Sequence, residues 1–189
     1  MKFVSKYNLL QNQEFYLNEI KAGKIFIYPT DTIYGIGCDA TNSESVLKIR
    51  KIKNRDTSPF SVIAPSKSWI KKNCYVPKEY EKFLDKLPGK YTLIFKMKNK
   101  KSISKNKVIG NLNSLGVRIP HHWFTKFLSN HKIVFITTSA NISKSPTIKS
   151  TKGLPDSIKN QIDYIINDGV LDNPPSTIID FTKGAKIIR

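Results

Sequence analysis

The sequence predicts an α/β fold, an open twisted sheet of mixed parallel and antiparallel strands with flanking helices. Short apolar runs bounded by Gly or Pro recur along the chain, as is typical of buried strands. Segments with apolar residues at helical spacing separate some of these runs, while other runs lie close together in sequence. This irregular alternation favours a mixed sheet over a regular doubly wound one.

Length and composition predict one domain over residues 1–189. The chain has 189 residues, 39% of them hydrophobic, which is enough for a substantial core. No apolar stretch approaches the roughly 20 residues that a membrane helix needs, and the N-terminus lacks the pattern of a signal peptide. We therefore expect a cytoplasmic protein without a membrane partner. The 2 Cys and 3 His residues lack metal-ligand spacing, so we predict no metal site built by the protein.

The net charge of +18 is the strongest compositional feature. A field of this sign attracts polyanions such as nucleic acids, nucleotides or acidic membrane surfaces. The alternative is a compositional bias of the source genome, because Lys far outnumbers Arg and both Asn and Ile are abundant.

The stretch 24–40, KIFIYPTDTIYGIGCDA, organises the chain. Its run Ile25–Tyr28 predicts a buried strand, which Pro29 ends because proline cannot donate to a strand ladder. Hydroxyls, a carboxylate and the Gly35 and Gly37 amides follow at the strand end, where open α/β sheets bind ligands. An ordinary Gly-rich turn is the alternative.

Two helices flank this stretch. Gln13–Lys21 is amphipathic and is followed by a Gly, and residues 43–51 follow good N-cap chemistry. Lys53 and Arg55 lie where the second helix gives way to a loop. Two cations one residue apart can converge on one anion if the backbone is irregular there, whereas a solvated basic helix end is the alternative.

The middle of the chain predicts strands over 60–64 and 91–97. Helices are expected between them, over 66–73 and 77–87, because apolar residues recur there at helical spacing. Residues 96–107 hold six lysines and almost no apolar residue, which predicts an exposed basic loop.

The last third of the chain begins with a short strand over 114–120, in which alternation places Arg118 opposite Val117 and Ile119. Such an arginine points either to a ligand or to water. The remaining expected elements are helices over 123–129 and 151–161 and strands over 133–136, 164–166, 176–180 and 186–189. The strand over 133–136 delivers Thr137 and the hydroxyl and amide groups that follow it, a pattern that an N-cap and turn cluster would also explain.

Taken together, these motifs resemble those of the YrdC family, the threonylcarbamoyl-AMP synthases of tRNA modification. The resemblance runs from about residue 19 to residue 189 and rests on six segments in chain order: PTDTIYGIGCDA, Lys53-x-Arg55, LPGKYTLI, the strand over 114–120, Ser139-x-Asn141, and PSTIID near the C-terminus. Each motif is weak alone, but all of them in order at compatible spacings are specific.

The resemblance implies an open α/β sheet with a basic concavity and an adenylate-forming enzyme. The activity so implied joins L-threonine, bicarbonate or CO2, and ATP into L-threonylcarbamoyl-adenylate and releases pyrophosphate. The product feeds the t6A modification at position 37 of tRNAs that read codons beginning with A. Mg2+ is expected with ATP, and downstream threonylcarbamoyl-transfer proteins are expected partners, with tRNA as a further candidate.

Carried over by position, the resemblance implies two groups of site residues. Lys53, Arg55, Ser139 and Asn141 would hold the triphosphate and stabilise the transition state. Further nucleotide contacts would come from Ser58, Ser114, Thr147 and Arg189, and the threonine would contact Thr32, Arg118, Thr137 and Ser176.

The chain departs from the family pattern at several positions, including Lys144 after the SxN motif, Lys90 in the LPGK turn and Ile63 where some longer relatives have His. Two other functions remain open from sequence. One is a basic module that binds tRNA or double-stranded RNA without catalysis. The other is carbamoyl transfer in metalloenzyme maturation, which would require zinc-finger and acylphosphatase-like modules for which the chain has no room.

Overall fold

A computed structural model describes residues 1–55, 57–142 and 145–189. The strands are β1 (Lys2–Val4), β2 (Phe26–Tyr28), β3 (Gly35–Gly37), β4 (Ser61–Ile63), β5 (Cys74–Tyr75), β6 (Tyr91–Met97), β7 (Ser114–Arg118), β8 (Phe135–Ser139), β9 (Tyr164–Ile166), β10 (Thr177–Asp180) and β11 (Lys186–Ile187). The α-helices are α1 (Lys6–Gln11), α2 (Gln13–Lys21), α3 (Ser43–Ile52), α4 (Lys67–Asn73), α5 (Lys105–Val108), α6 (Trp123–Asn130) and α7 (Asp156–Lys159), with 3-10 helices at Lys78–Lys86 and Thr151–Gly153.

The described strands form one sheet in the order β1-β9-β2-β3-β8-β4-β7-β6-β10-β11, and β5 pairs with β6. Four neighbouring pairs are parallel: β1 with β9, β9 with β2, β4 with β7, and β6 with β10. The other pairs are antiparallel. The prediction of a mixed sheet with flanking helices is therefore confirmed.

Both faces of the sheet are covered, and residues 25–28 show how. Ile25 and Ile27 point into the larger core, while Phe26 and Tyr28 point into a smaller, aromatic-rich core on the other side. Because successive side chains of a strand point to opposite faces, an uninterrupted apolar run is what a strand buried on both faces requires.

Several elements match their predicted bounds, and others differ for physical reasons. The helix Gln13–Lys21 and the strands Tyr91–Met97 and Tyr164–Ile166 form as predicted. The single helix expected over 151–161 is wrong, because Pro155 separates a 3-10 turn from α7. The helix expected over 77–87 forms as a 3-10 helix.

Gly35 and Gly37 do not form the ordinary Gly-rich turn that the sequence left open as an alternative. They form β3, which pairs with β2 and β8. A Cβ on Gly37 would lie 2.1 Å from the backbone oxygen of Ile136, and one on Gly35 would lie 2.7 Å from the Tyr28 ring. These glycines therefore permit close approach between neighbouring strands.

The described part of the chain holds no helix with both the length and the apolar character needed to cross a bilayer. Both cysteines, Cys38 and Cys74, are free and buried. Burial raises the pKa of the Cys74 thiol to about 12, so this side chain behaves as a small apolar group.

Candidate active site

An open cavity of about 160 Å³ lies where β8 ends and where β4, β6 and β10 begin. Polar groups arrive there from elements that are distant in sequence but adjacent in the sheet. Seven of the predicted site residues line it: Thr32, Arg55, Thr137, Ser139, Thr147, Ser176 and Arg189.

Lys53 closes one side of the site from the C-terminal end of α3. The helix ends there because Asn54 takes the left-handed conformation, with φ of 47°. Lys53 is 1% exposed, and its Nζ donates to the backbone oxygens of Ser139 and Asn141, each at 2.5 Å. Burial, reinforced by the nearby charge of Arg55, lowers the pKa of Lys53 to about 8.

Arg55 leaves the same break and points to the end of β8. Its Nη1 donates to Thr138 Oγ1 at 3.3 Å, and its Nη2 donates to the Pro59 carbonyl at 2.6 Å. The guanidinium lies 5.1 Å from the centre of the Phe60 ring. Burial, followed by the charge of Arg50, lowers the pKa of Arg55, although an arginine stays cationic at neutral pH.

Asn141 lies just beyond β8, 7% exposed. Its Nδ2 donates to the Ser145 carbonyl, and its Oδ1 is buried without a hydrogen-bond partner in the described chain. Lys53 therefore ties the end of α3 to the segment that carries Ser139 and Asn141. The four residues that the sequence paired by resemblance lie at one place in the fold.

Thr32 lies in the turn between β2 and β3 and is fully buried. Thr30 Oγ1 donates to the Ile33 carbonyl at 2.7 Å and lies 2.9 Å from Thr32 Oγ1. Because the single Thr30 hydroxyl proton is already used, Thr32 must donate in the bond between the two hydroxyls. The Thr32 oxygen also accepts from Arg118 Nη2 at 3.4 Å, so it has at most one further lone pair for a ligand donor.

Arg118, the last residue of β7, is buried and does not face water. Its Nη2 donates to Asp31 Oδ1 at 2.8 Å and lies 3.4 Å from Thr32 Oγ1. Its Nε is buried and has no acceptor among the described residues. Burial lowers the pKa of Arg118, and the Asp31 carboxylate opposes that shift.

The other side of the cavity is formed by the start of β10 and the last residue. Ser176 Oγ lies 2.9 Å from Thr92 Oγ1, and Arg189 Nε donates to the Ser176 carbonyl at 3.2 Å. Thr137 and Ser139 lie on β8 across the cavity. The site thus has hydroxyls on two sides and arginines at its edges.

Two predicted nucleotide contacts, Ser58 and Ser114, do not line the cavity. Ser58 is exposed, and its carbonyl accepts from Arg50 Nη1 at 3.0 Å. Ser114 lies at the start of β7 opposite Lys96. Lys53, Asn141 and Arg118 also lie outside the lining, but their contacts place them directly behind it.

Of the departures from the family pattern, Ile63 and Lys90 do not line the cavity, whereas Pro59, in the departure after Arg55, does. Ile63 is fully buried in the smaller core, and Lys90 Nζ donates to Asn173 Oδ1 at 2.8 Å on the surface. Lys144 lies outside the described residues.

The sequence assigned no individual role to several residues that build the site. Asp31 and Thr30 hold Arg118 and Thr32, Thr92 contacts Ser176, and Thr138 contacts Arg55. The first two were predicted only as a carboxylate and a hydroxyl at a ligand-binding strand end beside Thr32. The other two sit on strands whose pairing partners cannot be inferred from local sequence.

The described residues contain no cluster of three or more His, Cys, Asp or Glu side chains that could hold a metal ion. The unpaired Oδ1 of Asn141 is a neutral oxygen of the type that Mg2+ accepts. The site therefore fits a metal that is carried mainly by phosphate oxygens and contacted by one protein oxygen.

Comparison with known proteins gives consistent matches over most of the chain. The family model Sua5/YciO/YrdC, described as telomere recombination, matches residues 18–189. A protein of Methanocaldococcus jannaschii, provisionally named a threonylcarbamoyl-AMP synthase, is 35% identical over 186 residues, covering 94% of this chain and 86% of that protein. A threonylcarbamoyl-AMP synthase of Moraxella catarrhalis is 28% identical, covering 88% of this chain and 90% of that protein.

The fold also matches a crystal structure of P. abyssi Sua5 complexed with L-threonine. The TM-score is 0.87 at 24% identity, and the alignment covers 99% of this chain and 56% of that one. This chain therefore spans just over half the length of that protein, and at this identity the likeness shows the fold.

Proposed function

The chain belongs to the Sua5/YciO/YrdC family, and from that premise we propose that it is a nucleotidyltransferase making L-threonylcarbamoyl-adenylate. Its substrates would be L-threonine, bicarbonate or CO2, and ATP, and the second product would be pyrophosphate. The synthase names of the relatives in M. jannaschii and M. catarrhalis support this activity. They also favour it over a non-catalytic RNA-binding module.

The observation that carries the proposal is the junction of α3 and β8. Lys53 contacts the backbone at Ser139 and Asn141, and Arg55 contacts Thr138 beside the cavity. One cation and hydroxyls therefore line one edge of an open cavity, and a second cation and an amide lie directly behind that edge. Such an arrangement suits a group that carries several negative charges, such as a triphosphate.

The chemistry needs positioning and charge stabilisation more than a nucleophilic side chain. The threonine amine adds to CO2 and loses a proton, which gives a carbamate. A carbamate oxygen then forms a bond to the α-phosphorus, and the bond from that phosphorus to the pyrophosphate oxygen breaks. Negative charge grows on the phosphate oxygens, so Lys53 and Arg55 stabilise the transition state more than the ground state.

Mg2+ would join the triphosphate and neutralise part of its charge. Within this chain, Asn141 Oδ1 would contact the ion, while Lys53 and Arg55 would hold phosphate oxygens on the other side. Ser58, Ser114, Ser139, Thr147 and Arg189 remain proposed nucleotide contacts; of these, Ser139, Thr147 and Arg189 already line the cavity.

The threonine would occupy the part of the cavity near Thr32, Thr137 and Ser176. The Arg118 guanidinium would pair with its carboxylate, since the unpaired Nε is a donor without an acceptor. A hydroxyl-lined pocket leaves polar groups unpaired when valine enters, which would select threonine over its isostere. A structure of the same fold, that of P. abyssi Sua5, is a complex with L-threonine, which supports threonine as a ligand class for this fold.

The product would pass to threonylcarbamoyl-transfer proteins that modify position 37 of tRNAs reading codons that begin with A. We propose that this occurs in the cytoplasm, where ATP and these tRNAs are available. Direct contact of this chain with tRNA is a separate proposal, which the net charge of +18 supports.

The decisive experiment incubates the purified protein with ATP, Mg2+, bicarbonate and radiolabelled L-threonine. We expect pyrophosphate release that depends on threonine and bicarbonate, together with a labelled adenylate. Serine and valine are each tested in place of threonine and should support much slower release of pyrophosphate. Release that is equal with all three amino acids, or independent of amino acid, would contradict the proposal.

A further inference from the structure

We infer that Asp31 is a positioning residue that holds the Arg118 guanidinium ready for the carboxylate of the amino-acid substrate. This inference rests on the proposed function, because it concerns the threonine side of the same cavity. It assigns Asp31 no contact with substrate; the carboxylate acts through Arg118.

The Asp31 carboxylate joins two parts of the chain that the sheet keeps apart. It lies in the turn between β2 and β3, and both its oxygens are used. Oδ1 accepts from Arg118 Nη2 and Oδ2 accepts from the backbone N–H of His121, each at 2.8 Å. Because β8 and β4 lie between β3 and β7, no strand pairing holds these two segments together.

The ion pair between Arg118 and Asp31 is buried, and this burial restricts where the two charged groups can lie. The Arg118 and Asp31 side chains are 8% and 7% exposed. A buried guanidinium without a counter-charge is strongly unfavourable, so Arg118 depends on Asp31 to remain buried when no ligand is present. A short Asp side chain that is also fixed by the His121 N–H has little freedom, and it therefore fixes the guanidinium.

Arg118 still has donor capacity left for a ligand. A guanidinium has five N–H donors, and Nε of Arg118 is buried without an acceptor in the described chain. Nη2 also lies 3.4 Å from Thr32 Oγ1, and Thr32 lines the cavity. A carboxylate that enters beside Thr32 would supply the missing acceptor, while Asp31 keeps the guanidinium plane in place.

The same turn also positions Thr32, because Thr30 holds Thr32 as Asp31 holds Arg118. Thr30 accepts from the Thr32 hydroxyl and from the Thr32 backbone N–H, and it donates to the Ile33 carbonyl. Thr30 and Asp31 thus hold two neighbouring groups: Thr32, an acceptor in the cavity lining, and Arg118, a donor directly behind it. The acceptor Thr32 suits the ammonium or hydroxyl of an amino acid, and the donor Arg118 suits its carboxylate.

The test compares Asp31→Asn, which keeps the shape and removes the charge, with Asp39→Asn. Asp39 caps a turn by accepting from Thr41, away from the cavity, so its variant loses one charge without touching Arg118. Calorimetric titration with L-threonine should show affinity weakened about tenfold or more in Asp31→Asn, and unchanged in Asp39→Asn. ATP affinity should stay within about twofold in both.

A second ligand separates positioning from general damage. L-threoninol has the amine and hydroxyl of threonine but no carboxylate, so it cannot pair with Arg118. Asp31→Asn should bind threoninol as the unmodified protein does, which reduces the preference for threonine over threoninol. Equal losses for both ligands and for ATP, together with a lowered melting temperature, would show a merely structural role and overturn the inference.

If Asp31→Asn does not fold, the unmodified protein still provides a test. The 15N resonance of Arg118 Nε, assigned by its loss in Arg118→Lys, should shift on addition of L-threonine and not on addition of threoninol. No shift with threonine would overturn the inference. If the unmodified protein binds threonine but forms no adenylate, the proposed function fails while the positioning role of Asp31 stands.

Discussion

Lys53 is the residue whose protonation the site most depends on. Burial holds its pKa at about 8, well below the 10.5 of an unperturbed lysine. Its charge is therefore present at neutral pH and is lost as the pH rises through about 8. The effect on folding stability has the opposite sign. Because the pKa of Lys53 is lower in the folded than in the unfolded chain, the free energy of unfolding is higher above the unfolded pKa, where Lys53 is neutral, and this stability is lost as the pH falls through about 8.

We predict that ATP affinity decreases as the pH rises from 7 to 9.5, with a midpoint near the Lys53 pKa of about 8. The physical reason is the loss of one cation beside the triphosphate, whose own charge is already complete above about pH 7. Titration calorimetry across this range measures it. The control is Lys51→Met, an exposed cation of the same helix end, which should lower affinity slightly and keep the midpoint. A flat profile for the unmodified protein would contradict the prediction.

Thr32 provides the second prediction at this scale. Thr32→Val removes a fully buried hydroxyl that Thr30 orients and that lies 3.4 Å from Arg118 Nη2. Because valine has the same shape, we expect the KM for L-threonine to rise about tenfold through the lost hydrogen bond, with ATP affinity nearly unchanged. Steady-state pyrophosphate release measures the first quantity and calorimetry the second.

The control for Thr32 is Thr125→Val on α6, a threonine that is 3% exposed and away from the cavity. Thr125→Val should change neither the KM for L-threonine nor the affinity for ATP. Equal weakening of threonine and ATP by Thr32→Val would mean that the turn between β2 and β3 belongs to the nucleotide side instead.

At the scale of elements, the β3–β8 pairing sets the position of Ser139. In register, Gly35 faces Ser139 and Ile36 faces Thr138, so the end of β8 depends on how closely β3 approaches. Gly37 allows that approach, since a Cβ there would lie 2.1 Å from the Ile136 oxygen. The obstacle is backbone, which cannot rotate away as a side-chain tip can.

We therefore predict that Gly37→Ala lowers the unfolding free energy by about 1–3 kcal/mol and weakens ATP binding at the same time. Denaturant unfolding and calorimetry measure the two effects. Gly153→Ala is the matched control, because its Cβ would meet only Ile148 Cγ2, at an ordinary 3.9 Å. A stable Gly37→Ala variant with normal ATP binding would show that β8 does not depend on β3.

The same elements show what the sequence could and could not predict. The buried strands and the helix Gln13–Lys21 follow from periodicity and could be located from it. The strand β3 could not, because Gly-Ile-Gly has low strand propensity and forms a strand only because two neighbours approach closely. The resemblance indicated the Lys53 and Asn141 junction, but the role of Asp31 depends on a contact across 87 residues.

At the scale of the whole molecule, the charge is unevenly distributed along the chain. No Asp or Glu occurs between Asp85 and Asp156. Within that stretch Lys98, Lys100 and Lys101 are exposed, and none of the three forms an ion pair within the described structure. Lys98 lies six residues beyond Thr92 of the cavity, about 20 Å at roughly 3.3 Å per residue, and Lys100 and Lys101 follow beyond the end of β6.

Variants of this lysine segment can distinguish a surface that binds polyanions from a compositional bias. If it contacts RNA, replacing Lys98, Lys100 and Lys101 by Gln should weaken tRNA binding and reduce the slope of log affinity against log salt by about 2 to 3. The KM for L-threonine should not change, because the cavity is distant. Filter binding at several salt concentrations, alongside pyrophosphate release, measures both quantities.

The matched control replaces Lys78, Lys82 and Lys86 by Gln, an identical charge change on the 3-10 helix that also carries Glu79, Glu81 and Asp85. Because those acidic neighbours already reduce the local positive field, this triple should affect tRNA affinity and its salt slope much less. Equal effects of the two triples would mean that tRNA responds only to net charge. The net charge of +18 would then be a property of composition and not of a defined tRNA-binding surface.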